Sequence, residues 1–168
     1  MSPRVVLVGP PGSGKTTVGE LVASRLGVGF RDTDHDVERT AGRSVSDIFV
    51  EDGEEHFRAL EAGAVQSALR DHDGVLALGG GAVLYARTQS LLADQTVVFL
   101  DVGLAAAAER VGFAKSRPLL VLNPRAELKR LLDERRPVYL AVAGHVVATD
   151  GRTPDEISAD ILAVLDAA

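Results

Sequence analysis

The sequence predicts a three-layer α/β/α sandwich, in which a central parallel sheet is covered by helices on both faces. Short apolar segments alternate with helical patterns along the chain, and this alternation is typical of a parallel sheet. With 168 residues, of which 46% are hydrophobic and 25% charged, the chain has the size and composition of one globular domain. We therefore expect a single domain that spans residues 1–168.

Five short segments are the strand candidates. The clearest are apolar runs rich in β-branched residues, which suit strands that are buried on both faces. The candidates in chain order are residues 5–8, 30–33, 75–78, 96–100 and 146–148. Ligands of open α/β sheets bind at the carboxyl ends of the strands, so polar residues that follow these segments are candidates for a functional site.

Apolar residues at helical spacing indicate four helices between these strands. The first ends at Gly27, a residue type common just past a helix end. The second is long and opens at residues 52–55, where Asp-Gly-Glu-Glu resembles a capping box. The third begins at Asn123-Pro124 and runs to about residue 140, and the fourth is capped at residues 153–156. Their apolar faces comprise Val18, Leu21, Val22 and Leu26, then Phe57, Leu60, Ala64, Val65, Ala68 and Leu69, and finally Ile157, Ile161, Leu162 and Leu165.

Residues 112–123 break the alternation of strands and helices. They combine charge with glycine and proline, and Leu-Leu-Val-Leu at 119–122 has no clear period. Their position after the fourth strand and its helix is compatible with a mobile lid, and equally with an ordinary surface loop.

Composition excludes several classes of protein. A net charge of −6 gives no basic field for binding nucleic acid, and the chain contains no cysteine for disulfides or thiolate chemistry. No apolar run reaches the length of a membrane span, and the N-terminal residues lack the apolar region of a signal peptide. We expect a cytoplasmic protein that binds neither nucleic acid nor membranes.

Residues 9–16 read Gly-Pro-Pro-Gly-Ser-Gly-Lys-Thr, which matches the P-loop pattern G-x-x-x-x-G-K-[ST]. The glycines let successive backbone N–H groups point at phosphate oxygens, and the following helix adds the positive end of its dipole. Lys15 is expected to reach the β- and γ-phosphates, and Thr16 to offer its hydroxyl to Mg²⁺. The predicted nucleotide contacts in this stretch are Gly12, Ser13, Gly14, Lys15, Thr16 and Thr17.

The P-loop by itself does not separate kinases from GTPases and ATPase motors. The chain lacks the Asn-Lys-x-Asp string with which GTPases read guanine, and motors usually exceed this length. A small-molecule kinase is therefore the simplest interpretation.

Asp32 and Asp34 follow the second strand candidate, where one carboxylate can face a metal shell and the other an acceptor hydroxyl. A solvated turn explains the same pair equally well. Asp36 is interpreted only as a carboxylate at a helix start.

Further candidates for acceptor binding lie on the long helix and after the third strand. Arg58 lies beside the buried stripe, but a purely structural pair with Glu61, one turn later, is also open. The three glycines at 79–81 exceed what a turn needs and permit a close approach of backbone to ligand. Arg135 and Arg136 suit the end of a helix, and an arginine can also hold a carboxylate with two hydrogen bonds.

Taken together, these features indicate an anionic, hydroxylated acceptor, and the whole chain resembles the shikimate kinase family. Seven strings carry the resemblance in both order and spacing. They are residues 9–17, Asp-Thr-Asp at 32–34, Gly-Arg-Ser-Val-Ser-Asp-Ile-Phe at 42–49, Gly-Glu-Glu-His-Phe-Arg-Ala-Leu-Glu at 53–61, Leu-Gly-Gly-Gly-Ala at 78–82, Arg-Pro-Leu-Leu at 117–120 and Arg-Arg-Pro-Val-Tyr at 135–139.

The resemblance implies that ATP phosphorylates the 3-hydroxyl of shikimate, a step towards chorismate and the aromatic amino acids. On the acceptor side, it implies that Asp34 binds hydroxyls and is the candidate base. Arg58 and Arg135 would hold the shikimate carboxylate, and Gly80 would supply a backbone contact. Arg135 is preferred over Arg136 because the family string is R-x-P-[LV]-Y, with the binding arginine two residues before proline.

On the donor side, the resemblance implies that Asp32 shares the magnesium shell with Thr16. Arg117 in the lid would close on the transferring phosphoryl group. Arg110 and the segment from Arg152 would flank the adenine. We expect ATP and shikimate as ligands, Mg²⁺ as cofactor, and a monomer.

Two other readings stay open at this level. One is a kinase of the same fold for another small acceptor, such as gluconate or a nucleoside monophosphate. The other is a catalytically idle nucleotide-binding module, against which the intact Lys15, Asp34, Arg58 and Arg117 argue.

Overall fold

The computed structural model describes residues 2–111 and 123–167. The predicted lid, apart from Asn123, and the candidate Arg117 lie outside the described residues. The strands are β1 (Val5–Val8), β2 (Phe30–Asp32), β3 (Val75–Ala77), β4 (Val97–Asp101) and β5 (His145–Ala148). The helices are α1 (Lys15–Leu26), α2 (Thr33–Ala41), α3 (Val45–Asp52), α4 (Glu54–Asp71), α5 (Ala86–Leu91), α6 (Leu104–Val111), α7 (Pro124–Val142) and α8 (Pro154–Asp166), with a 3₁₀ turn at Ala82–Leu84.

The sheet has the order β2-β3-β1-β4-β5, and every pairing in it is parallel. From β1 the chain runs outward to β2 on one side, returns to β3, and then crosses to β4 on the other side. The order therefore reverses at β1, and the carboxyl end of this strand leads directly into the P-loop. Such a reversal opens a crevice at the strand ends, where ligands of this class of sheet bind.

Helices cover both faces of the sheet. On one face, apolar residues of α1 and α8 pack against alternate residues of the strands. On the other face, α4, α5 and α7 cover the intervening strand residues. Val5 and Leu7 point to the first layer, whereas Val6 and Val8 point to the second, as expected for successive strand residues. The central strand is thus fully enclosed, which fixes the start of the P-loop rigidly.

Two smaller clusters attach the peripheral helices. Val37 of α2, Ile48 of α3 and Phe57 of α4 form one buried cluster. Ala107 of α6 and Leu128 of α7 belong to another. These contacts hold α2, α3 and α6 around the carboxyl end of the sheet.

The predicted sandwich is confirmed, but some local predictions were wrong. Asp52 does not cap the long helix: it is the last residue of α3, and α4 follows Gly53 without a side-chain cap. The helices α2 and α3 were not predicted as such, because each is short and has few buried residues. Among the described helices, none is both long and apolar enough to cross a membrane.

Candidate active site

The P-loop connects β1 to α1 and folds tightly against its neighbours. Gly12 and Gly14 have φ angles of 81° and 91°, which side-chain-bearing residues rarely adopt. The ammonium group of Lys15 donates to the carbonyl oxygens of Gly9 at 2.7 Å and Pro10 at 3.1 Å. Ser13 is fully buried within the loop. Thr16 and Thr17 are exposed in the first turn of α1, where the N-terminal backbone amides of a helix favour anions.

Helix α6 supports this loop from outside. A Cβ atom on Gly12 would lie 3.1 Å from both the carbonyl oxygen of Ala107 and Cγ2 of Val111, so the loop and the helix are in close contact. Arg110, on the last turn of α6, donates to the carbonyl oxygen of Gly12 at 3.1 Å. The candidate Arg110 therefore lies at the P-loop, whereas Arg152 follows β5 and bonds to Ala148 and Asp160.

The segment Asp32-Thr33-Asp34 forms the junction between β2 and α2. The carboxylate of Asp32 caps α2 by accepting from the backbone N–H of Asp34 at 2.8 Å. Thr33 is buried, and its hydroxyl accepts from the N–H of Gly79 at 3.1 Å. These bonds direct Asp34 towards the glycine triplet, so the pair is not a solvated turn.

Each glycine of the triplet makes room for a different polar side chain. A Cβ on Gly79 would overlap the carboxylates of Asp34 and Glu61, the latter at 2.7 Å. A Cβ on Gly81 would overlap the guanidinium of Arg58. A Cβ on Gly80 would lie 3.4 Å from Nη1 of Arg135. The three missing side chains therefore allow four charged groups from three helices to converge on one short stretch of backbone.

Arg58 and Glu61 do form the pair that the sequence left open. Nη1 of Arg58 lies 2.7 Å from the Glu61 carboxylate, and the two side chains are only 12% and 2% exposed. The guanidinium also lies 5.7 Å from the centre of the Phe49 ring and 5.2 Å from that of Phe57. Burial raises the pKa of Glu61 above its ordinary range, although the charge of Arg58 and its hydrogen bond act in the opposite direction.

The two neighbouring arginines of α7 have different environments. Arg136 is 54% exposed and pairs with Asp101 at 3.0 Å. Nη1 of Arg135 is buried and has no hydrogen-bond partner among the described residues. One turn after Arg135, the hydroxyl of Tyr139 donates to the carbonyl oxygen of Gly80 at 2.5 Å, which ties this face of α7 to the triplet. A buried guanidinium nitrogen without a partner is costly unless an anionic ligand completes it.

Arg58 and Arg135 line one cleft. Pro11 of the P-loop lines the same cleft, so the arginines lie beside the predicted phosphate site. The remaining lining residues come from α3, α4, α6 and α7, and they are Phe49, Glu54, Val111, Glu127, Leu128, Arg130 and Leu131.

The role of Phe49 as a wall of this cleft was not predicted, although its string was recognised. The only signal in the sequence was an aromatic residue at the end of the string at 42–49, and such a residue is more often part of the core.

Two oxygen donors at the carboxyl end of the sheet, Thr16 after β1 and Asp32 at the end of β2, suit a magnesium ion by their chemistry. Mg²⁺ in nucleotide sites uses one or two protein oxygens together with phosphates and water, and the Thr16 hydroxyl and Asp32 carboxylate are of this type. No group of three or more acidic or histidine residues suited to a metal occurs in the described part of the chain. Such a dedicated cage is not needed for a cation held mainly by phosphates.

Comparison with known proteins decides the family. A family model described as shikimate kinase matches residues 11–166. The chain belongs to the shikimate kinase family. A shikimate kinase from Salinispora arenicola is 59% identical over 167 residues, which are 99% of this chain and 100% of the relative. One from Saccharopolyspora erythraea is 60% identical over 158 residues, covering 94% and 90% of the two chains.

The fold agrees equally well with solved members of the family. The shikimate kinase from Acinetobacter baumannii in complex with shikimate superimposes with a TM-score of 0.94 at 36% identity. The alignment covers 99% of this chain and 94% of that one. The predicted family, the P-loop kinase fold and the assignment as a kinase are therefore confirmed.

Proposed function

We propose that this shikimate kinase family member transfers the γ-phosphoryl group of ATP to the 3-hydroxyl of shikimate, giving 3-phosphoshikimate and ADP. The observation that carries the proposal is the buried, unpartnered Nη1 of Arg135, which lines the same cleft as Arg58 and Pro11. A carboxylated alcohol supplies both the anion that the arginines need and the hydroxyl that must approach the P-loop.

On the donor side, residues 12–17 bind the triphosphate. The backbone amides of the loop and the N-terminus of α1 contact phosphate oxygens, and Lys15 exchanges its carbonyl partners for the β- and γ-phosphates. Thr16 and Asp32 hold Mg²⁺, which supplies charge neutralisation for the phosphates. Arg110 and Arg152 lie along the nucleotide base, and Arg117 of the lid balances charge on the phosphoryl group.

On the acceptor side, Arg58 and Arg135 bind the carboxylate and the backbone of Gly80 completes the floor. Asp34 orients the 3-hydroxyl and accepts its proton as the oxygen attacks the γ-phosphorus. The new bond joins that oxygen to phosphorus, and the bond to the β–γ bridging oxygen breaks as ADP leaves. Catalysis rests mainly on alignment and on positive charge, because phosphoryl transfer needs little covalent help from the protein.

The test is a turnover assay of the purified chain with ATP, Mg²⁺ and a panel of acceptors, with coupled detection of ADP. The panel contains shikimate, gluconate and nucleoside monophosphates, and Lys15→Met is the control for a contaminating kinase. We expect ADP release that depends on shikimate and is lost in the control. Turnover with gluconate or a nucleotide but not with shikimate would overturn the proposal, and ATP binding without any acceptor-dependent turnover would favour the idle module.

A monomeric state and a cytoplasmic location stay predictions from the sequence.

A further inference from the structure

We propose that Asp150 is a positioning residue of the nucleotide site, which holds the segment after β5 against the start of α6. The inference rests on the assignment of ATP to the P-loop made above. Asp150 was not among the predicted site residues, and it lies far from both the P-loop and the acceptor string in sequence.

Asp150 bonds to the residue that precedes α6. The N–H of Gly103 donates to both carboxylate oxygens of Asp150, at 3.0 Å each. Gly103 in turn accepts from the N–H of Ala107 in the first turn of the helix, at 3.0 Å. A carboxylate at the N-terminus of a helix is also favoured by the helix dipole.

The neighbouring residue reinforces this connection. Both the N–H and the hydroxyl of Thr149 donate to the carbonyl oxygen of Asp101, at 3.0 and 2.9 Å. The N–H of Arg152 then returns to the carbonyl oxygen of Thr149 at 3.3 Å. Residues 149–152 and 101–103 therefore form one bonded unit above the ends of β4 and β5.

From Ala107 to its last residue, α6 contacts the P-loop. Ala107 and Val111 pack on Gly12, and Arg110 donates to the Gly12 carbonyl. Asp150 thus connects the segment that carries Arg152 to the helix that supports the phosphate loop. In the function proposed above, the nucleotide base lies along Arg110 and Arg152, which these contacts link through α6 and Asp150.

Loss of the Asp150 bond leaves the phosphate loop intact but lets the segment at 149–152 move relative to α6. The apparent nucleotide affinity then falls in proportion to the fraction of molecules in which the segment at 149–152 and α6 are correctly placed. We expect the dissociation constant of ADP to rise about five- to tenfold in Asp150→Ala, the effect of one ordinary hydrogen bond, because the contact with Gly103 is exposed to solvent. The KM for shikimate should change less than the dissociation constant of ADP, because neither Asp150 nor Gly103 lines the cleft that contains Arg58 and Arg135.

Gly103 offers an independent way to break the same contact. A Cβ at this position would lie 2.5 Å from a carboxylate oxygen of Asp150, so Gly103→Ala must displace that side chain. If the contact positions the nucleotide site, Gly103→Ala weakens ADP binding in the parent chain. It has little further effect in the Asp150→Ala background, where nothing remains to be displaced.

The experiment measures ADP binding by titration calorimetry with the full chain. The variants are Asp150→Ala, Asp150→Asn, Gly103→Ala and the double alanine variant. Asp155→Ala is the matched control, because Asp155 is an exposed carboxylate nearby that pairs with Arg25 of α1 and not with α6. Thermal unfolding of each variant accompanies the titrations.

We expect weaker binding in Asp150→Ala and Gly103→Ala, non-additive effects in the double variant, and recovery towards the parent value in Asp150→Asn, whose amide oxygen can still accept from Gly103. If Asp150→Ala does not fold, Gly103→Ala and Asp150→Asn carry the same comparison. Parent-like ADP binding in Asp150→Ala or Gly103→Ala, or an equal loss in Asp155→Ala, would overturn the inference. ADP binding is measured without acceptor, so this result is separate from the failure or success of shikimate turnover.

Discussion

The donor loop and the acceptor cleft are built in opposite ways. The P-loop is one continuous stretch of eight residues, 9–16, that runs from the end of β1 into the first turn of α1, and its geometry comes from local backbone conformation and from the enclosed strand before it. The proposed acceptor site combines Asp34 from α2, Arg58 from α4 and Arg135 from α7, residues that are separated by up to 101 positions in the sequence. These residues meet only because the glycine triplet after β3 offers them a shared floor.

The two halves of the site are therefore expected to be sensitive to different kinds of mutation. The donor half depends on backbone angles at Gly12 and Gly14, whereas the acceptor half depends on packing between helices. Mutations in the acceptor cleft should therefore change shikimate binding or turnover while ATP binding is kept. The following predictions test that separation.

The largest effect is expected for Asp34→Asn. Loss of the proposed base should reduce kcat by about 100- to 10,000-fold, while the dissociation constant of ATP stays near the parent value. Steady-state kinetics and equilibrium ATP binding measure the two quantities on the same preparation. A comparable loss of ATP binding would show that the two halves are not separable.

A smaller effect is expected at the two neighbouring arginines of α7. Arg135→Ala should raise the KM for shikimate by about 10- to 100-fold, because a charge-assisted bond to the carboxylate is lost. Arg136→Ala is the matched control, since its side chain pairs with Asp101 at the surface. Acceptor-dependent kinetics of both variants are compared, and equal effects of the two would contradict the assignment of Arg135.

The smallest effect concerns Glu61 and the pH dependence of stability. Because burial raises its folded-state pKa above the ordinary value of 4.5, Glu61 contributes stability at acidic pH that is lost as pH rises through the folded-state pKa. The free energy of unfolding of the parent, relative to that of Glu61→Gln, should therefore be largest below pH 4.5 and decline as the pH rises through the folded-state pKa of Glu61. Each unit of pKa difference corresponds to about 1.4 kcal/mol.

Urea unfolding at several pH values gives this comparison. Glu54→Gln is the control, because Glu54 is the exposed second partner of Arg58, at 3.6 Å. If the difference in the free energy of unfolding between the parent and Glu61→Gln is the same at every pH, the pKa of Glu61 is not raised in the folded state.

The same contrast explains what could be predicted from the sequence. The P-loop could be predicted because its phosphate-binding residues follow one another in the sequence. The buried strands could be predicted because their apolar residues are also consecutive. The preference for Arg135 over Arg136 came from a family string, and the buried Nη1 of Arg135 supports it. Periodicity alone could not separate these neighbours, since both lie near the end of one helix.

Other features had no usable signal in the sequence. Asp36 does lie in the first turn of α2, as expected, but its burial and its ion pairs with Arg31 and Arg39 were not predicted. The contact of Asp150 with Gly103 joins residues 47 positions apart, and neither lies in a recognised motif. Such contacts depend on how strands β4 and β5 are aligned, which local patterns do not specify.

The glycine triplet has one further consequence. Because residues 79–81 have no side chains, the proposed acceptor site has only backbone groups at this position. Under the proposed function, the side chains of α2, α4 and α7 that approach the triplet select the acceptor. A fold of this kind can change its acceptor by altering those helices while the phosphate loop and the sheet stay the same, and the triplet is the neutral surface that makes such change possible.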